Sequence, residues 1–342
     1  MAKQVTIALD AMGGDVGPDV VVPAAGKILR QHAMLRIILV GNEELLRQKV
    51  TQFDGQLSER LLIHHASEVV EMNESPSQAL RKKKDSSMRV AIDLVKDGKA
   101  DACVSAGNTG ALMATSRFVL KMLPGIDRPA IITHLPSLNG HTYMLDLGAN
   151  VDSTAEHLRD FAIMGAELAK AVENIESPRV ALLNVGQEEI KGNEQVKKAA
   201  VLLAQTDLNY VGYAEGDDIF IGDLDVIVCD GFVGNIALKS SEGVAKMVSQ
   251  TMRKAFKANP YSLLVALLAA PILRSFKKTF DPGRYNGASL LGLRGIVIKS
   301  HGGADADAFA SAIEIAVREV EKQVPDAISS HLEAIVQRNK SS

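Results

Sequence analysis

The 342-residue chain has no tryptophan, two cysteines and an aromatic content of 4%. With so few aromatics, and no Lys/Arg run interleaved with them, it lacks the stacking platforms that grip single-stranded nucleic acid. Its 38 Lys and Arg against 41 Asp and Glu leave a formal charge of −3, so no general pull toward polyanions exists either. No nucleic-acid partner is expected. Cys103 and Cys229 lie far apart in apolar runs, with no Cys-x-x-Cys and no histidine cluster at ligand spacing. Neither a disulfide framework nor a structural zinc is therefore expected. The strongest apolar run, Tyr261 to Leu273, is too short to cross a bilayer and is interrupted by Pro271. The N-terminus enters a strand pattern at Val5 without an export core, which predicts a cytoplasmic protein.

What is present is a large aliphatic core. Hydrophobic residues make up 46% of the chain, mostly Leu, Val, Ile and Ala, which favours close packing of helices on sheet. Strand-like runs occur at Val5 to Leu9, Arg36 to Val40, Leu61 to His64, Ala102 to Ser105, Ala130 to Leu135 and Thr142 to Leu145, then at Val180 to Asn184, Val226 to Cys229 and Ile296 to Lys299. Amphipathic stretches of helix length separate most of them. Several runs are continuously apolar and β-branched, as strands buried on both faces are. The order predicts an α/β fold, a doubly wound, mainly parallel sheet of Rossmann-like form with ligand loops at the strand C-terminal ends. No linker and no fixed-period repeat divides it, so residues 1–342 are read as one domain.

Residues 251–285 depart from that rhythm and are read as a protruding helical segment. The apolar Tyr261 to Leu273 is flanked by Arg253, Lys254 and Lys257 on one side and Arg274, Lys277 and Lys278 on the other. This pattern suits reversible contact with anionic membrane, and equally a helix pair buried in a dimer interface or the core. The run Arg81-Lys-Lys-Lys-Asp85 reads as a solvated loop or helix end, with a docking patch as the alternative.

Two blocks share one logic. Val104-Ser-Ala-Gly-Asn-Thr-Gly-Ala and Val228-Cys-Asp-Gly-Phe-Val-Gly-Asn-Ile each run from an apolar strand through a Gly/Asn turn into an apolar helix. Such a turn gathers backbone N–H groups and the positive end of a helix where no Cβ blocks an anion, so the ligand is expected to be a phosphate or a carbonyl oxyanion. Asn108, Thr109, Asp230, Gly231, Gly234 and Asn235 belong to these turns. Asn150 in Leu-Gly-Ala-Asn and Gly13 with Gly14 in Met-Gly-Gly-Asp are expected around the same cleft. Neither Gly-x-G-x-x-Gly nor Gly-x-x-x-x-Gly-Lys-Ser/Thr occurs, so no nucleotide cofactor is expected.

Lys191, in Glu-Glu-Ile-Lys-Gly-Asn-Glu, is the candidate to bind phosphate or neutralise developing charge, and Asn193 adds an uncharged donor. The alternative is a surface lysine beside Glu188, Glu189 and Glu194. Asn235 is placed to donate to an oxyanion, or else to cap its helix. Asp10, Asp15, Asp146 and Asp230 sit at strand ends, where they cap helices or orient lysine; a shared divalent metal is the alternative, and no metal is expected. His301 is expected either to touch substrate or to make a structural hydrogen bond. The cysteines are read as inert packing.

Together with Ile7-Ala-Leu-Asp-Ala-Met-Gly-Gly-Asp15, Leu145-Asp-Leu-Gly-Ala-Asn150, Asn184 to Glu194 and Lys299-Ser-His-Gly-Gly-Ala-Asp305, these blocks resemble the bacterial acyl-ACP:phosphate acyltransferases of phospholipid synthesis, in the same order from about Ile7 to Ala316. The chain departs at Gln187, where an acidic residue is expected. The resemblance implies transfer of a fatty acyl group from acyl carrier protein to inorganic phosphate, with Lys191 and Asn235 as the catalytic pair. It also implies a homodimer whose acyl phosphate feeds a glycerol-3-phosphate acyltransferase at the membrane. Rival readings are a phosphate acetyl/butyryltransferase using acyl-CoA, a metal-dependent hydroxy-acid dehydrogenase, and a noncatalytic membrane scaffold.

Overall fold

The structure, a computed structural model, describes residues 4–53, 55–273 and 282–341. Its strands are β1 (Val5–Asp10), β2 (Leu35–Gly41), β3 (Leu61–His65), β4 (Ala102–Ser105), β5 (Ala130–Ser137), β6 (Gly140–Leu145), β7 (Val180–Leu183), β8 (Tyr210–Ala214), β9 (Val226–Val228), β10 (Ala288–Leu291) and β11 (Ile296–Lys299). They form one eleven-stranded sheet in the order β3-β2-β1-β4-β11-β10-β5-β6-β9-β7-β8.

The apolar runs behave as strands buried on both faces must. In β1, Val5, Ile7 and Leu9 pack toward the helices Pro18–Gln31 and Ala306–Glu321, whereas Ala8 packs on the opposite face, toward Ser87–Lys96 and Thr109–Leu120. The same alternation recurs at β9, where Val226 and Val228 meet the Ala155–Glu173 layer and Ile227 the other face. This period of two is what lets a continuous hydrophobic run fill two cores at once.

The sheet is parallel in two halves that run in opposite directions. β3, β2, β1, β4 and β11 share one direction. β6, β9, β7 and β8 share the other, and the antiparallel contacts β11 to β10, β10 to β5 and β5 to β6 join the halves. Strand C-terminal ends therefore point to two opposite edges: Asp10, Ser105 and Lys299 reach one, here the upper, and Leu145, Leu183 and Val228 reach the other, the lower. The sequence reading expected one cleft and missed this reversal. It also missed β8 and β10, a partly exposed edge strand and a four-residue strand, whose apolar residues are interrupted by Gly212 and Ser289.

The long helix Gly231–Phe256 buries only Gly231 and Gly234 at its start. The helix Pro260–Leu268 that follows buries none of its residues, so the reading of this segment as core is wrong for the single chain. Arg274, Lys277 and Lys278 lie outside the described residues. Among the described residues, no helix is long and apolar enough to cross a membrane.

Candidate active site

At the lower edge three adjacent parallel strands end side by side. β6 ends in a turn organised by Asp146, a fully buried carboxylate. It accepts from the N–H groups of Ile131 (3.0 Å), Gly148 (3.2 Å), Ala149 (3.0 Å) and Asn150 (2.8 Å), and from Asn150 Nδ2 (3.0 Å). Burial nonetheless raises its pKa, the desolvation cost outweighing these donors. Asn150 spends its amide on Asp146 and on the Pro129 carbonyl (2.7 Å), which ties the start of β5 to the turn.

β9 ends at Val228, and the Asp230 carboxylate caps the following helix by accepting from Val233 N–H at 2.9 Å. The cap is Asp230 and not Asn235. Gly231 and Gly234 lie against the Asp146 turn so closely that a Cβ would come 2.3 Å from the Asn150 carbonyl and 1.9 Å from the Asp146 carbonyl, respectively. Only glycine lets this helix start sit on that turn. Asn235 stands one turn in, half-buried beside Gly148, and its amide has no hydrogen-bond partner among the described residues.

β7 leads into the third loop. Lys191 pairs with Glu188 at 2.8 Å, which raises the lysine pKa and lowers that of the carboxylate. Its ammonium stays in reach of solvent. Gly192, at φ 92°, turns the chain, and Asn193 caps the helix Glu194–Leu203 through Val196 N–H at 2.9 Å. A cleft of about 770 Å³ opens beside these turns, reached from them by Asn193 and Asp230, while Lys191, Asn150 and Asn235 do not line it. Asn193, Asp230, Asp152, Arg128 and His157 give it polar walls, and Val151, Phe232 and Val233 an apolar one. Lys191, Asn193, Asn150, Asp230, Gly231, Gly234 and Asn235 are thus brought to one edge.

The remaining expected site residues are not brought there. Gly13, Gly14, Asn108, Thr109 and His301 lie at the upper edge, so the expectation of a shared cleft is corrected by the opposed strand directions. There Asp10, also fully buried with a raised pKa, accepts from Ser87 and Ser105 hydroxyls (each 2.6 Å) and from Gly13 N–H at 3.1 Å. Gly14, at φ 88°, packs beside Ala106. Asn108 caps the helix Thr109–Leu120 through Ala111 N–H and donates to the carbonyls of Met72 and Glu74 (2.8 and 3.0 Å). Thr109 is exposed at that helix start. His301 Nδ1 accepts from Gly303 N–H at 3.1 Å, the structural role. Because Asp10 and Asp146 cap turns at opposite edges, the four strand-end aspartates do not form one metal ligand set.

The profile of a family described as fatty acid synthesis proteins matches residues 5–327. The phosphate acyltransferase of Methylococcus capsulatus is 64% identical over 327 residues, 96% of each chain. That of Alkalilimnicola ehrlichii is 61% identical over 341 residues, covering 100% of both. The chain belongs to the phosphate acyltransferase family. In fold it is similar to a phosphotransacetylase from Streptococcus pyogenes (TM-score 0.64, 21% identity, 94% of this chain and 95% of that one). A branched-chain phosphotransacylase from Enterococcus faecalis gives a TM-score of 0.56 at 14% identity, covering 92% and 99%.

Sequence reasoning missed two cations in this family member. Arg128 precedes an unremarked proline and joins the cleft only through the Asn150 tie to Pro129. Lys299 reads as a strand end, yet its ammonium is largely buried at the upper edge, donating to the Ala106 carbonyl at 3.3 Å and to that of Ser300. Burial draws its pKa down to about 8, against the opposing pull of Asp10 and Asp15. Cys103 and Cys229 are buried, and desolvation holds both thiols well above their usual pKa, which makes them packing groups.

Proposed function

We propose that this chain transfers a fatty acyl group from acyl carrier protein to inorganic phosphate, and that the lower cleft is where it does so. The carrying observation is the junction of an apolar wall with a helix start, free amide and cationic side chains at one strand edge. A phosphate oxygen attacks the thioester carbonyl carbon, forming the new C–O bond and a tetrahedral oxyanion; its collapse breaks the C–S bond, and the thiolate leaves to take a proton from solvent. The step is balanced by these two reactants, and what the protein adds is alignment and charge stabilisation.

Asn235 donates its unengaged amide to the oxyanion of the tetrahedral intermediate. Lys191 exchanges Glu188 for the phosphate or the developing charge, Asn193 directs its amide toward the same anion, and the start of the Gly231–Phe256 helix adds the positive end of its dipole, its Gly231, Val233 and Gly234 N–H groups being spent on Asn150 and Asp230. Val151, Phe232 and Val233 shelter the first carbons of the acyl chain. The name of the relatives, phosphate acyltransferase, supports the acyl transfer. The upper-edge residues Gly13, Gly14, Asn108, Thr109 and His301 are assigned to holding loops.

The protein works in the cytoplasm as a homodimer. Its helix Pro260–Leu268, with no residue buried in the single chain, makes reversible contact with anionic membrane, where acyl phosphate passes to a glycerol-3-phosphate acyltransferase. The cations Arg253, Lys254 and Lys257 beside it receive the acidic carrier. The test is direct: purified protein is given acyl carrier protein loaded with palmitate, with and without phosphate. Formation of acyl phosphate only with phosphate supports the reading, and equal or better use of acyl-CoA replaces the donor assignment.

A further inference from the structure

We propose that Arg128 is the residue that grips a phosphate group in the lower cleft, which rests on that cleft being the reaction site. Three observations converge on it. Arg128 is held at the cleft by its neighbours, since the Pro129 carbonyl accepts from Asn150 Nδ2 at 2.7 Å and Ile131 N–H donates to Asp146 at 3.0 Å. Its position is therefore set by the turn that seats the Gly231–Phe256 helix.

Its guanidinium is also poorly compensated. The carboxylate nearest to it, Asp127, stands 3.8 Å from Nε, beyond hydrogen-bond length, and no hydrogen bond to the guanidinium occurs among the described residues. That carboxylate is engaged elsewhere: His157 accepts Thr154 N–H on Nδ1, which in the neutral ring leaves the proton on Nε2, and this nitrogen meets Asp127 Oδ2 at 3.1 Å. Lys191, by contrast, is closed on Glu188 at 2.8 Å.

The third observation is the charge balance of the walls. Among the described residues lining the cleft, Arg128 is the single Lys or Arg, and Asp152 and Asp230 line it too. Without Arg128 these walls offer a phosphate the Asp152 and Asp230 carboxylates and no Lys or Arg of their own. With it, the anion meets a planar fork of N–H donors able to bind two oxygens at once.

The same chemistry has two sources here, the inorganic phosphate acceptor and the phosphodiester of a carrier's prosthetic arm. Steady-state kinetics of wild type, Arg128→Ala, Arg128→Lys and Asp152→Asn separate them, using acyl carrier protein and an acyl-N-acetylcysteamine thioester that has no phosphodiester. Arg128→Ala is expected to raise the KM for inorganic phosphate roughly 10- to 100-fold with kcat nearly retained, the loss of a charge-assisted pair. Arg128→Lys recovers part of it, and Asp152→Asn lowers that KM. If only the KM for the carrier rises, and the short thioester shows no effect, the grip is on the phosphodiester. Unchanged KM values for both in folded Arg128→Ala overturn the proposal. A wild type that makes no acyl phosphate overturns the underlying reading of the cleft instead, so the two failures are told apart.

Discussion

The upper and lower edges of the sheet use one device to different ends. At each, a buried aspartate at a strand end gathers the N–H groups of a glycine turn: Asp10 with Gly13 above, Asp146 with Gly148, Ala149 and Asn150 below. Above, the device is completed by protein groups. Ser87 and Ser105 hydroxyls fill the carboxylate, Asn108 is spent on three backbone partners, and the Lys299 ammonium is turned onto carbonyls. Below, the turn opens into a cleft, and the Asn235 amide and Arg128 guanidinium are left without hydrogen bonds among the described residues. A glycine turn by itself is thus a joint. Open space and unspent donors above the joint are what make it a candidate site.

The largest expected effect tests that distinction. Lys191→Ala and Asn235→Ala should each lower turnover on the order of 100- to 1,000-fold, the usual loss of one oxyanion donor, with folding unchanged by circular dichroism. His301→Ala and Thr109→Ala, at the other edge, should stay within a few-fold of wild type. If the upper-edge variants lose more turnover than the lower-edge pair, the chemistry belongs above and the assignment is reversed.

Removing the joints should cost stability at both edges. Asp10→Asn and Asp146→Asn keep the shape but turn an amide N–H toward a donor, and each buried donor left unsatisfied costs about 1–3 kcal/mol. Urea unfolding should show losses of that order for both. The sharper result is kinetic: Asp146→Asn should also depress turnover, because its turn seats Asn235, whereas Asp10→Asn should be active once folded.

Much of this was legible in the chain. Continuous apolar runs announced the buried strands, and Gly-Asn turns announced their C-terminal ends, because both signals are local. The reversal of the second half was not legible, since strand direction is decided by the short β10 and by the β5–β6 hairpin. Neither bears on the residues of the turns themselves. For that reason Gly13 and Asn108 were grouped with Asn150, which lies across the sheet. The pairing of Lys191 with Glu188 was among the alternatives, and so was a cap at Asn235; the cap is instead Asp230, one of the strand-end aspartates expected to cap helices, whose carboxylate reaches Val233 N–H.

The seam between the halves gives a pH test. Glu319, fully buried beneath β10 with the Ser289 hydroxyl as its partner, has its pKa raised by desolvation from 4.5 to about 7. A carboxyl with a raised folded pKa binds its proton more tightly in the native state, so its contribution is present at low pH and is lost as pH rises from 4.5 through about 7. Nearby His134 works oppositely: burial lowers its pKa to about 4, so its contribution is lost as pH falls from 6.5. Comparing wild type with Glu319→Gln isolates the first group. The stability difference between them should shift on the order of 3 kcal/mol across that window, in favour of wild type at the acid end. A pH-independent difference in urea midpoints removes this account of the seam.

The smallest expected effect on turnover comes from the helix Pro260–Leu268, which contributes no residue to either turn. Tyr261, Leu264, Leu267 and Leu268 are all exposed in the single chain, and Arg253, Lys254 and Lys257 precede them. Each basic residue near an anionic surface contributes about 1 kcal/mol, and burying leucine side chains adds a hydrophobic contribution; either alone gives weak, reversible attachment. Leu264→Glu with Leu268→Glu removes the hydrophobic part and adds repulsion from acidic lipid. Vesicles containing phosphatidylglycerol should then no longer float the protein, while acyl transfer in solution persists at the wild-type rate, because both edges of the sheet are untouched. Unchanged flotation moves the membrane contact elsewhere. Dissociation of a dimer by the same substitutions, read by light scattering, gives the segment to a partner subunit instead, the second of the two covers that its exposed apolar residues call for.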